Sequence, residues 1–252
     1  MNMILKKPLV SIVITYFNKR KFIDKTLKSI FNQTYKNYEL IFVYDDTNKK
    51  DLILIKKLLQ KFKRKKLFIN KYNLGVAKSR NKALRHCSGE YVAFIDSDDI
   101  WKKIKLSKQI NFMIKNSLEF CFTSYGIISE KNELIGKRYV NLNGEYNKLY
   151  KSNYIGLSTV VFNQNIINIF KFPSLKTQED FALWLLLLRR GYRLTHLNMI
   201  LTNWRSTKKS LSSNIYQKLK DAFKLYYVHE NKNFIFSIYS VIVLSYNKLI
   251  KN

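Results

Sequence analysis

The sequence predicts an α/β fold, in which a mostly parallel sheet carries helices on both faces, and two observations support this prediction. The first is the alternation of short, apolar, β-branched runs with segments whose apolar residues recur every three or four positions. The second is the composition: 252 residues, 46% of them hydrophobic and 25% charged, suffice for one large domain or two small ones. Because no segment rich in Pro, Gly or Ser separates two halves, we expect a single domain.

Strands and helices alternate four times in the first part of the chain. The predicted strands are 10–15, 39–43, 66–69 and 91–95. The predicted helices are marked by apolar positions at Ile23, Leu27, Ile30 and Phe31, at Leu52, Ile55, Leu59 and Phe62, within 76–86, and at Leu106, Ile110 and Met113. Strands joined in this way run parallel, and ligands of parallel sheets bind at the carboxyl ends of the strands. The polar residues that follow the strands are therefore the candidates for a functional site.

Acidic side chains cluster directly after two of these strands, although the chain has only 17 acidic residues. Asp45 and Asp46 follow the second strand, and Asp96, Asp98 and Asp99 follow the fourth. Three carboxylates within four residues repel one another unless a cation lies among them, and Mg²⁺ is commonly held by one or two carboxylates together with substrate phosphates. The alternative is a solvated turn whose aspartates cap the next helix. The buried strand that precedes Asp96 favours a metal and diphosphate site.

A second acidic pair, Glu179 and Asp180, begins an apolar helix that extends to Arg190 and ends at Gly191. Acids in the first turn of a helix are stabilised by the helix dipole, so the pair could simply be a cap. A functional role would require one carboxylate to act as the general base toward a substrate hydroxyl. The residues by themselves leave both interpretations open.

Two further segments could contact an anion. Gly75 precedes a helix with Lys78 and Arg80, where the glycine permits either a close backbone approach or only a turn. Near the other end of the chain, Trp204 and Arg205 precede the hydroxyl-rich segment 210–212, which could close over an anionic ligand.

The net charge of +29 has three interpretations: nucleic-acid binding, attraction to anionic lipid, or a lysine-rich composition without functional meaning. The lysines are scattered over almost every segment and no nucleic-acid recognition motif accompanies them, so we predict no nucleic-acid partner. Residues 234–244 form the most apolar tract, but it is shorter than the roughly 20 residues needed to span a bilayer. This tract is either an interfacial helix or, as we favour, a packed C-terminal helix.

Cellular location and several enzyme classes also follow from the sequence. Cys87 and Cys121 are too few for a disulfide framework, and residues 1–8 do not form a signal peptide, so we predict a cytoplasmic protein. Association with the inner face of the cytoplasmic membrane is left open. The three histidines lack the spacing of a zinc site. The absence of GxSxG, GxxxxGK[ST] and GxGxxG excludes serine hydrolases of that type, P-loop enzymes and Rossmann dehydrogenases.

Six segments, taken in order, resemble the family 2 glycosyltransferases, which have the Rossmann-like GT-A fold. They are 10–18 (VSIVITYFN), 29–35 (SIFNQTY), 38–46 (YELIFVYDD), 73–81 (NLGVAKSRN), 89–101 (GEYVAFIDSDDIW) and 178–184 (QEDFALW). The resemblance covers about 8–212. It implies a nucleotide-sugar half at about 1–101, an acceptor half at about 102–212 and a C-terminal helical extension at 213–252. The segments 178–184 and 210–212 particularly resemble bacterial enzymes of surface-polysaccharide assembly, including those of the teichuronic-acid type.

The resemblance also implies a role for each candidate residue. Tyr16 and Asn18, with Asp45 or Asp46, would hold the base and ribose, while Asp96, Asp98 and Asp99 would bind Mg²⁺ or Mn²⁺ on the diphosphate. Arg80 would lie near the donor, and Arg205 would close over the pyrophosphate. Asp180 would be the catalytic base with Glu179 beside it, and Trp184 would shape the acceptor side. Thr15, Gly75 and Ser97 complete the expected nucleotide-sugar site.

The activity implied is that of an inverting, metal-dependent, hexosyltransferase-type glycosyltransferase. It would move a sugar from a nucleotide-sugar, with UDP expected, to a hydroxyl of a surface glycan or a lipid-linked acceptor. Thr47 and Asn48 stand where relatives have Gly-Ser, which leaves the base open. The alternatives are an inactive nucleotide-binding relative, a nucleotidyltransferase, and a basic protein that binds nucleic acid or membrane. The presence of Asp98, Asp99 and Asp180 together favours an active enzyme, and the absence of glycine from 15–18 disfavours a nucleotidyltransferase.

Overall fold

The computed structural model describes residues 7–140, 143–207 and 214–250, so the segment 210–212 singled out above lies outside the described residues. The first part of the chain alternates strands and helices as predicted. Its elements are β1 (Val10–Tyr16), α1 (Arg20–Phe31), β2 (Tyr38–Tyr44), α2 (Lys49–Leu59), β3 (Lys65–Ile69), α3 (Val76–Leu84), β4 (Tyr91–Phe94), β5 (Ile100–Trp101) and α4 (Lys105–Lys115). The predicted elements are confirmed, with bounds that differ by a few residues, and only the short strand β5 was not expected.

The second part adds antiparallel strands and the remaining helices. Its elements are β6 (Phe120–Ile128), β7 (Leu134–Arg138), α5 (Tyr146–Lys151), β8 (Val161–Asn163), α6 (Glu179–Arg189), β9 (Thr195–Arg205), α7 (Ile215–Lys224) and α8 (Phe234–Ile250). A short 3-10 turn, 157–159, lies between α5 and β8, and a π-helical turn, 225–229, follows α7.

All strands described belong to one curled sheet in the order β3-β2-β1-β4-β8-β6-β9-β5, with β7 paired to β6. β1 lies between β2 and β4, and all three run parallel, as do β2 and β3. The parallel strands therefore end at one edge of the sheet. β8 pairs antiparallel with both β4 and β6, and β9 returns parallel to β6. This arrangement brings the loop after β4 against the end of β9.

The core occupies both faces of the sheet. Along β1, Val10, Ile12 and Ile14 belong to one buried cluster while Val13 belongs to the other, as the two-residue period of a strand requires. The first cluster receives the apolar faces of α1, α2 and α4, and the second receives those of α3 and α6. The predicted layering of a sheet between helices is thus confirmed, and it fixes the polar strand ends at a rigid edge.

The interpretation of 234–244 as a packed helix is confirmed in part. The segment is helical within α8, and Val241 and Leu244 pack against the core, but Ile235 and Ile242 are 81% and 61% exposed. The inward face also carries the buried serines Ser237 and Ser240, and Ser240 is 2.9 Å from the hydroxyl of Tyr150 in α5. Among the described residues, no helix combines the length and the apolar character needed to cross a bilayer.

Candidate active site

A cavity of about 590 Å³ opens where the parallel strands end, beside the first turn of α6. Most predicted site residues line it: Thr15, Tyr16, Asn18, Asp45, Gly75, Arg80, Asp96, Ser97, Asp98, Glu179, Asp180 and Arg205. Asp46, Asp99 and Trp184 lie outside its lining. The fold therefore gathers residues from distant segments around one space, which has carboxylates on two sides.

Other lining residues were given no role by the resemblance, although Trp204 was noted beside Arg205: Phe17, Lys19, Asn73, Val76, Lys176, Thr177, Gln178, Trp204 and Thr207. Lys19 has the clearest consequence, since it is a cation placed directly after the first strand. Its position one residue beyond Asn18 was a signal that could have found it. Thr177 and Gln178 immediately precede the acidic pair, so their closeness in sequence to predicted site residues could likewise have found them.

Asp45 organises the loop on the nucleotide side of the predicted site. Its Oδ1 accepts hydrogen bonds from the Asn70 side chain at 2.7 Å and from the Leu74 backbone N–H at 2.8 Å. Its Oδ2 accepts from the Gly75 N–H at 2.9 Å. Gly75 has a φ of +85°, a conformation that glycine adopts without strain. The Asp45 carboxylate is buried and committed to shaping this loop, so it acts here as a positioning group.

Asp46 joins the ends of the first two strands. Its Oδ2 accepts from the Asn18 N–H at 2.7 Å, and its Oδ1 accepts from the Thr47 N–H at 2.7 Å. Asn48 then caps α2 by accepting from Lys50 and Asp51 N–H groups at 3.0 and 3.3 Å. The departure from Gly-Ser at 47–48 is explained locally, because Asn48 supplies a helix cap.

The side chain of Tyr16 corrects one expectation. The residue borders the cavity, yet it is fully buried, its ring stacks on Tyr44 at 5.2 Å, and its hydroxyl donates to Asp51 Oδ2 at 2.6 Å. Burial raises the pKa of the Tyr16 hydroxyl well above its usual value, with Asp51 contributing in the same direction. The ring is therefore part of the core beneath the cavity and does not present a stacking face to a base.

In the loop after β4, two carboxylates face cationic partners across the cavity. Asp96 Oδ1 is 2.7 Å from Arg80 Nη2, and Asp98 Oδ2 is 2.6 Å from Lys19 Nζ. Burial raises the pKa of Asp98, an effect that Lys19 opposes. Each acid therefore has its charge balanced by a residue from a different segment.

Asp99 is directed away from the cavity, which corrects its prediction as a metal ligand. Its Oδ1 accepts from the Arg205 backbone N–H at 2.8 Å, while Oδ2 has no hydrogen-bond partner among the described residues. Burial raises the pKa of Asp99 well above its usual range, and the neighbouring Asp98 adds to the effect. A buried, inward carboxyl of this kind links the loop to β9.

The carboxylates at the cavity determine whether the described residues can hold a divalent metal ion. No group of three or more His, Cys, Asp or Glu side chains in the described ranges converges on one point. Asp96 and Asp98 nevertheless line the same cavity. Because Mg²⁺ is usually held by one or two carboxylates with the remaining ligands from phosphate and water, this pair fits such an ion together with a diphosphate. The pair does not form an all-protein cage.

The acidic pair of α6 also lines the cavity. Arg80 Nη1 donates to Glu179 Oε1 at 2.5 Å, so this arginine connects Glu179 to Asp96. Among the residues that the structure describes, Asp180 Oδ1 accepts a local hydrogen bond from the Phe181 N–H at 2.7 Å. Burial raises the pKa of Asp180 to about 7, with Glu179 adding to the rise and Arg80 opposing it. A carboxyl with such a pKa can exchange a proton near neutral pH.

Two residues with left-handed backbone conformation line the cavity. Asn18 has a φ of 48°, and Gln178, immediately before Glu179, has a φ of 67°. Residues other than glycine adopt this conformation at a cost of order 1–3 kcal/mol, and such strain concentrates at functional sites. The turn at Gln178 aims the start of α6 into the cavity.

Arg205 and Trp184 have roles different from those predicted. Arg205 is 2% exposed and donates its side-chain N–H groups to the carbonyls of Asp98 and Ser129 and to Asn132 Oδ1, at 2.7, 2.8 and 2.8 Å. Its guanidinium group connects the loop after β4 with the turn after β6, and these hydrogen bonds keep it from closing over a pyrophosphate. Trp184 is fully buried, and its indole N–H donates to the Ile155 carbonyl at 3.3 Å. It belongs to the core because α6 turns this face toward the sheet.

The sheet, the cavity at its edge and the helices on both faces have the architecture of GT-A glycosyltransferases. The fold is similar to that of Staphylococcus aureus TarS, residues 1–349, crystallised in complex with UDP-GlcNAc. The TM-score is 0.72 at 18% identity, and the match covers 90% of this chain and 69% of that chain.

Sequence comparison identifies the family. The model of glycosyl transferase family 2 matches residues 11–174. The chain is 38% identical over 213 residues to UDP-Glc:alpha-D-GlcNAc-diphosphoundecaprenol beta-1,3-glucosyltransferase WfgD of Escherichia coli, covering 84% of this chain and 83% of that protein. It is 32% identical over 230 residues to TuaG of Bacillus subtilis strain 168, a glycosyltransferase assigned to teichuronic acid biosynthesis, covering 91% of each chain. The chain belongs to glycosyltransferase family 2, and the resemblance inferred from its motifs is confirmed.

Proposed function

We propose that this glycosyltransferase transfers a sugar from a UDP-sugar to a hydroxyl of a lipid-linked saccharide in the assembly of a bacterial surface polysaccharide, with inversion at the anomeric carbon. One observation carries the proposal: the carboxylate of Asp180 shares a cavity with Asp96 and Asp98. The cavity thus contains a group able to accept a proton together with groups able to hold a cation. WfgD and TarS support the choice of UDP, and WfgD and TuaG support the acceptor class.

Asp180 would act as the general base. As the acceptor oxygen forms its bond to the anomeric carbon, its proton passes to a carboxylate oxygen of Asp180, and the bond to the leaving phosphate oxygen breaks on the opposite face. A pKa of about 7 suits this role, because a base works best when its pKa lies near the working pH. Glu179, held by Arg80, keeps the start of α6 in place.

The departing nucleoside diphosphate gains negative charge that the other side of the cavity must balance. Asp96 and Asp98 would hold Mg²⁺ or Mn²⁺, which when bound supplies electrostatic stabilisation of that charge. Lys19 adds a cation of the protein's own at 2.6 Å from Asp98. Such preorganised charges are commonly the largest contribution to catalysis.

The first experiment measures nucleoside diphosphate release from a panel of nucleotide-sugars with Mg²⁺, Mn²⁺ or EDTA. We expect release from a UDP-sugar that requires the metal and is lost in Asp98→Asn. The exposed acid Asp24 on α1 provides a matched control, and Asp24→Asn should retain full release. Metal-independent binding of the nucleotide without turnover by any donor would instead identify an inactive relative and overturn the proposal.

The second experiment separates the base from donor binding. Asp180→Asn should bind UDP as well as the native protein does, measured by calorimetry, while transfer to a diphosphoundecaprenol-linked GlcNAc acceptor falls by about 10²–10⁴-fold. Transfer by Asp180→Asn at the native rate would exclude Asp180 as the base.

A further inference from the structure

The surface formed by α7, the turn 225–229 and α8 carries most of the exposed large apolar side chains of the described protein. Of the 22 such side chains, 12 lie between 215 and 246. They are Ile215, Tyr216, Leu219, Tyr227, Val228, Phe234, Ile235, Phe236, Ile238, Tyr239, Ile242 and Tyr246. Scattered exposed apolar residues are ordinary, but a concentration on adjacent helices marks an interaction surface. We refer to these twelve residues as the C-terminal apolar face.

Helix α8 packs Val241 and Leu244 against the core, but many of its large apolar side chains face outward. Ser237 and Ser240 are buried against the rest of the molecule, while Ile235 and Ile242 point outward and are 81% and 61% exposed. The hydroxyl groups of the two inward serines are hydrogen-bonded within the helix: Ser237 donates to the Asn233 carbonyl and Ser240 to the Phe236 carbonyl, both at 2.8 Å. Internal packing uses Val241 and Leu244, and the outward apolar side chains of the helix remain available to an apolar partner.

Within residues 214–250, the exposed charges are of one sign. Residues 214–250 contain five lysines and two acids, and both acids, Asp221 and Glu230, are buried and hydrogen-bonded. Burial lowers the pKa of Lys218 to about 8, and the nearby ammonium group of Lys248 adds to the effect. An anionic group between these two ammonium groups would relieve their repulsion. The described surface of this segment thus combines apolar side chains with uncompensated positive charge.

From this combination we propose that the C-terminal apolar face docks the protein onto an anionic lipid bilayer, with α8 lying in the plane of the interface. The outward isoleucines and phenylalanines would enter the acyl boundary, and the tyrosines would lie at headgroup level. The lysines would contact lipid phosphates. A second copy of this chain is the other candidate occupant, but a twofold contact would place lysines against lysines without acids to pair them. The positive charge of this segment is therefore complementary to an anionic bilayer and not to a second copy of the chain.

The helix α7, which carries part of the C-terminal apolar face, is hydrogen-bonded to a residue that lines the active-site cavity. Asp221 in α7 accepts from the backbone N–H and the hydroxyl of Thr177 at 2.9 and 3.0 Å. Thr177 lines the cavity two residues before Glu179. At the other end of α6, Arg189 donates to the His229 carbonyl at 3.0 Å. The docked helices would therefore hold the segment that carries the acidic pair next to the bilayer in which a lipid-linked acceptor resides.

Vesicle flotation tests the proposal on the full chain without requiring transfer. Neutral phosphatidylcholine vesicles are compared with vesicles that also contain phosphatidylglycerol. The double variant Ile235→Glu/Ile242→Glu changes two exposed side chains of the face. Its matched control, Ile53→Glu/Leu134→Glu, changes two residues that are 69% and 56% exposed elsewhere. Thermal unfolding confirms that both variants fold.

We expect the native protein and the control to float with anionic vesicles, and the Ile235→Glu/Ile242→Glu variant to bind them at least about tenfold more weakly. Lys218→Gln/Lys248→Gln should weaken binding to anionic vesicles but not to neutral ones, whereas Lys49→Gln/Lys103→Gln should change neither. Equal losses in variant and control, or no binding by the native protein, would overturn the proposal. So would a dimer that dissociates in Ile235→Glu/Ile242→Glu without vesicle binding.

Donor hydrolysis distinguishes this proposal from the proposed function. A protein that releases UDP but does not bind vesicles refutes the docking surface alone, and one that binds vesicles but hydrolyses no donor refutes the activity alone.

Discussion

The ammonium group of Lys19 lies 2.6 Å from Oδ2 of Asp98, and this ion pair joins the turn after β1 to the loop after β4. Both residues line the cavity, and their side chains are 22% and 14% exposed. The pair places a positive charge of the protein's own beside the carboxylate proposed to hold a metal. Lys19 is therefore positioned to contact a phosphate of the donor.

Replacement of Lys19 tests this placement. We expect Lys19→Met to weaken UDP binding roughly ten- to a hundredfold, because a hydrogen bond to a charged group contributes about 1.5–3 kcal/mol. Calorimetric titration with UDP and Mn²⁺ measures the effect. The nearby Lys21, which is exposed and pairs with Glu130, provides the control, and Lys21→Met should bind UDP normally. Unchanged affinity in Lys19→Met would leave the lysine with only a structural role.

The two adjacent aspartates should respond differently to the same change. Asp98→Asn removes a carboxylate from the cavity, so we expect it to abolish Mn²⁺ binding in the presence of UDP, measured by electron paramagnetic resonance. Asp99→Asn should retain this binding within a fewfold, since the side-chain carbonyl oxygen of the introduced amide could still accept the Arg205 N–H. Loss of Mn²⁺ in both variants would restore Asp99 as a ligand.

The pH dependence of transfer should reveal Asp180. Burial raises its pKa to about 7, so kcat/KM should rise with pH to a plateau above pH 7. Because Glu179 contributes to that rise, Glu179→Gln should move the acid limb to lower pH. A limb that does not move would assign it to another group. The exposed acid Glu145 offers a control, as Glu145→Gln should leave the profile unchanged.

The same raised pKa predicts a cost in stability. The usual aspartate pKa of 3.8 applies to the unfolded chain, so between about pH 4 and pH 7 the unfolded state releases its proton first and stability falls as pH rises. Above pH 7 both states are ionised and the loss is complete. Asp180→Asn should therefore unfold at a higher temperature than the native protein at pH 8, measured by calorimetry. A lower unfolding temperature would contradict the raised pKa.

Lys105 is a fully buried lysine whose Nζ has no hydrogen-bond partner among the described residues and lies 3.8 Å from the centroid of the Trp101 ring. Burial lowers its pKa well below the usual value, so the unfolded chain binds this proton more tightly and stability falls as pH decreases. Lys105→Met should raise the melting temperature by several degrees at neutral pH. Lys108→Met, on the exposed side of α4, should change it little. A decrease in Lys105→Met would show that the amine is stabilising.

The parallel half of the fold could be predicted because β1, β2 and β4 are buried on both faces and the helices between the strands have a clear period. The elements within residues 120–163 could not be predicted as well, because short antiparallel strands such as β8 have no periodicity long enough to recognise. At the site, position after a strand correctly indicated Asp96 and Asp98 as residues of the cavity. It could not show that Asp99 turns inward, which depends on a hydrogen bond from distant β9.

Trp184 and Arg205 show the same limit. Helical spacing places Trp184 on an apolar helix but does not say which face meets the core, and tertiary packing decides this. Arg205 was assigned to an anion because arginine commonly binds phosphate, yet its donors are consumed by carbonyls that only the folded chain brings together. Lys19 was missed for a different reason: its position directly after Asn18 was a signal, but lysines occur in almost every segment of this chain.

The hydrogen bonds from Thr177 to Asp221 bear on how the molecule melts. Residues 1–212 contain the cavity but not the acceptor that fixes the segment ahead of Glu179. Two hydrogen bonds therefore cross the division at 212 that was drawn from the sequence. We expect α7 and the catalytic edge of the sheet to unfold in one cooperative transition. Substitutions that destabilise the C-terminal helices should therefore also reduce activity, and exchange of either part alone with that of a relative should destabilise the protein.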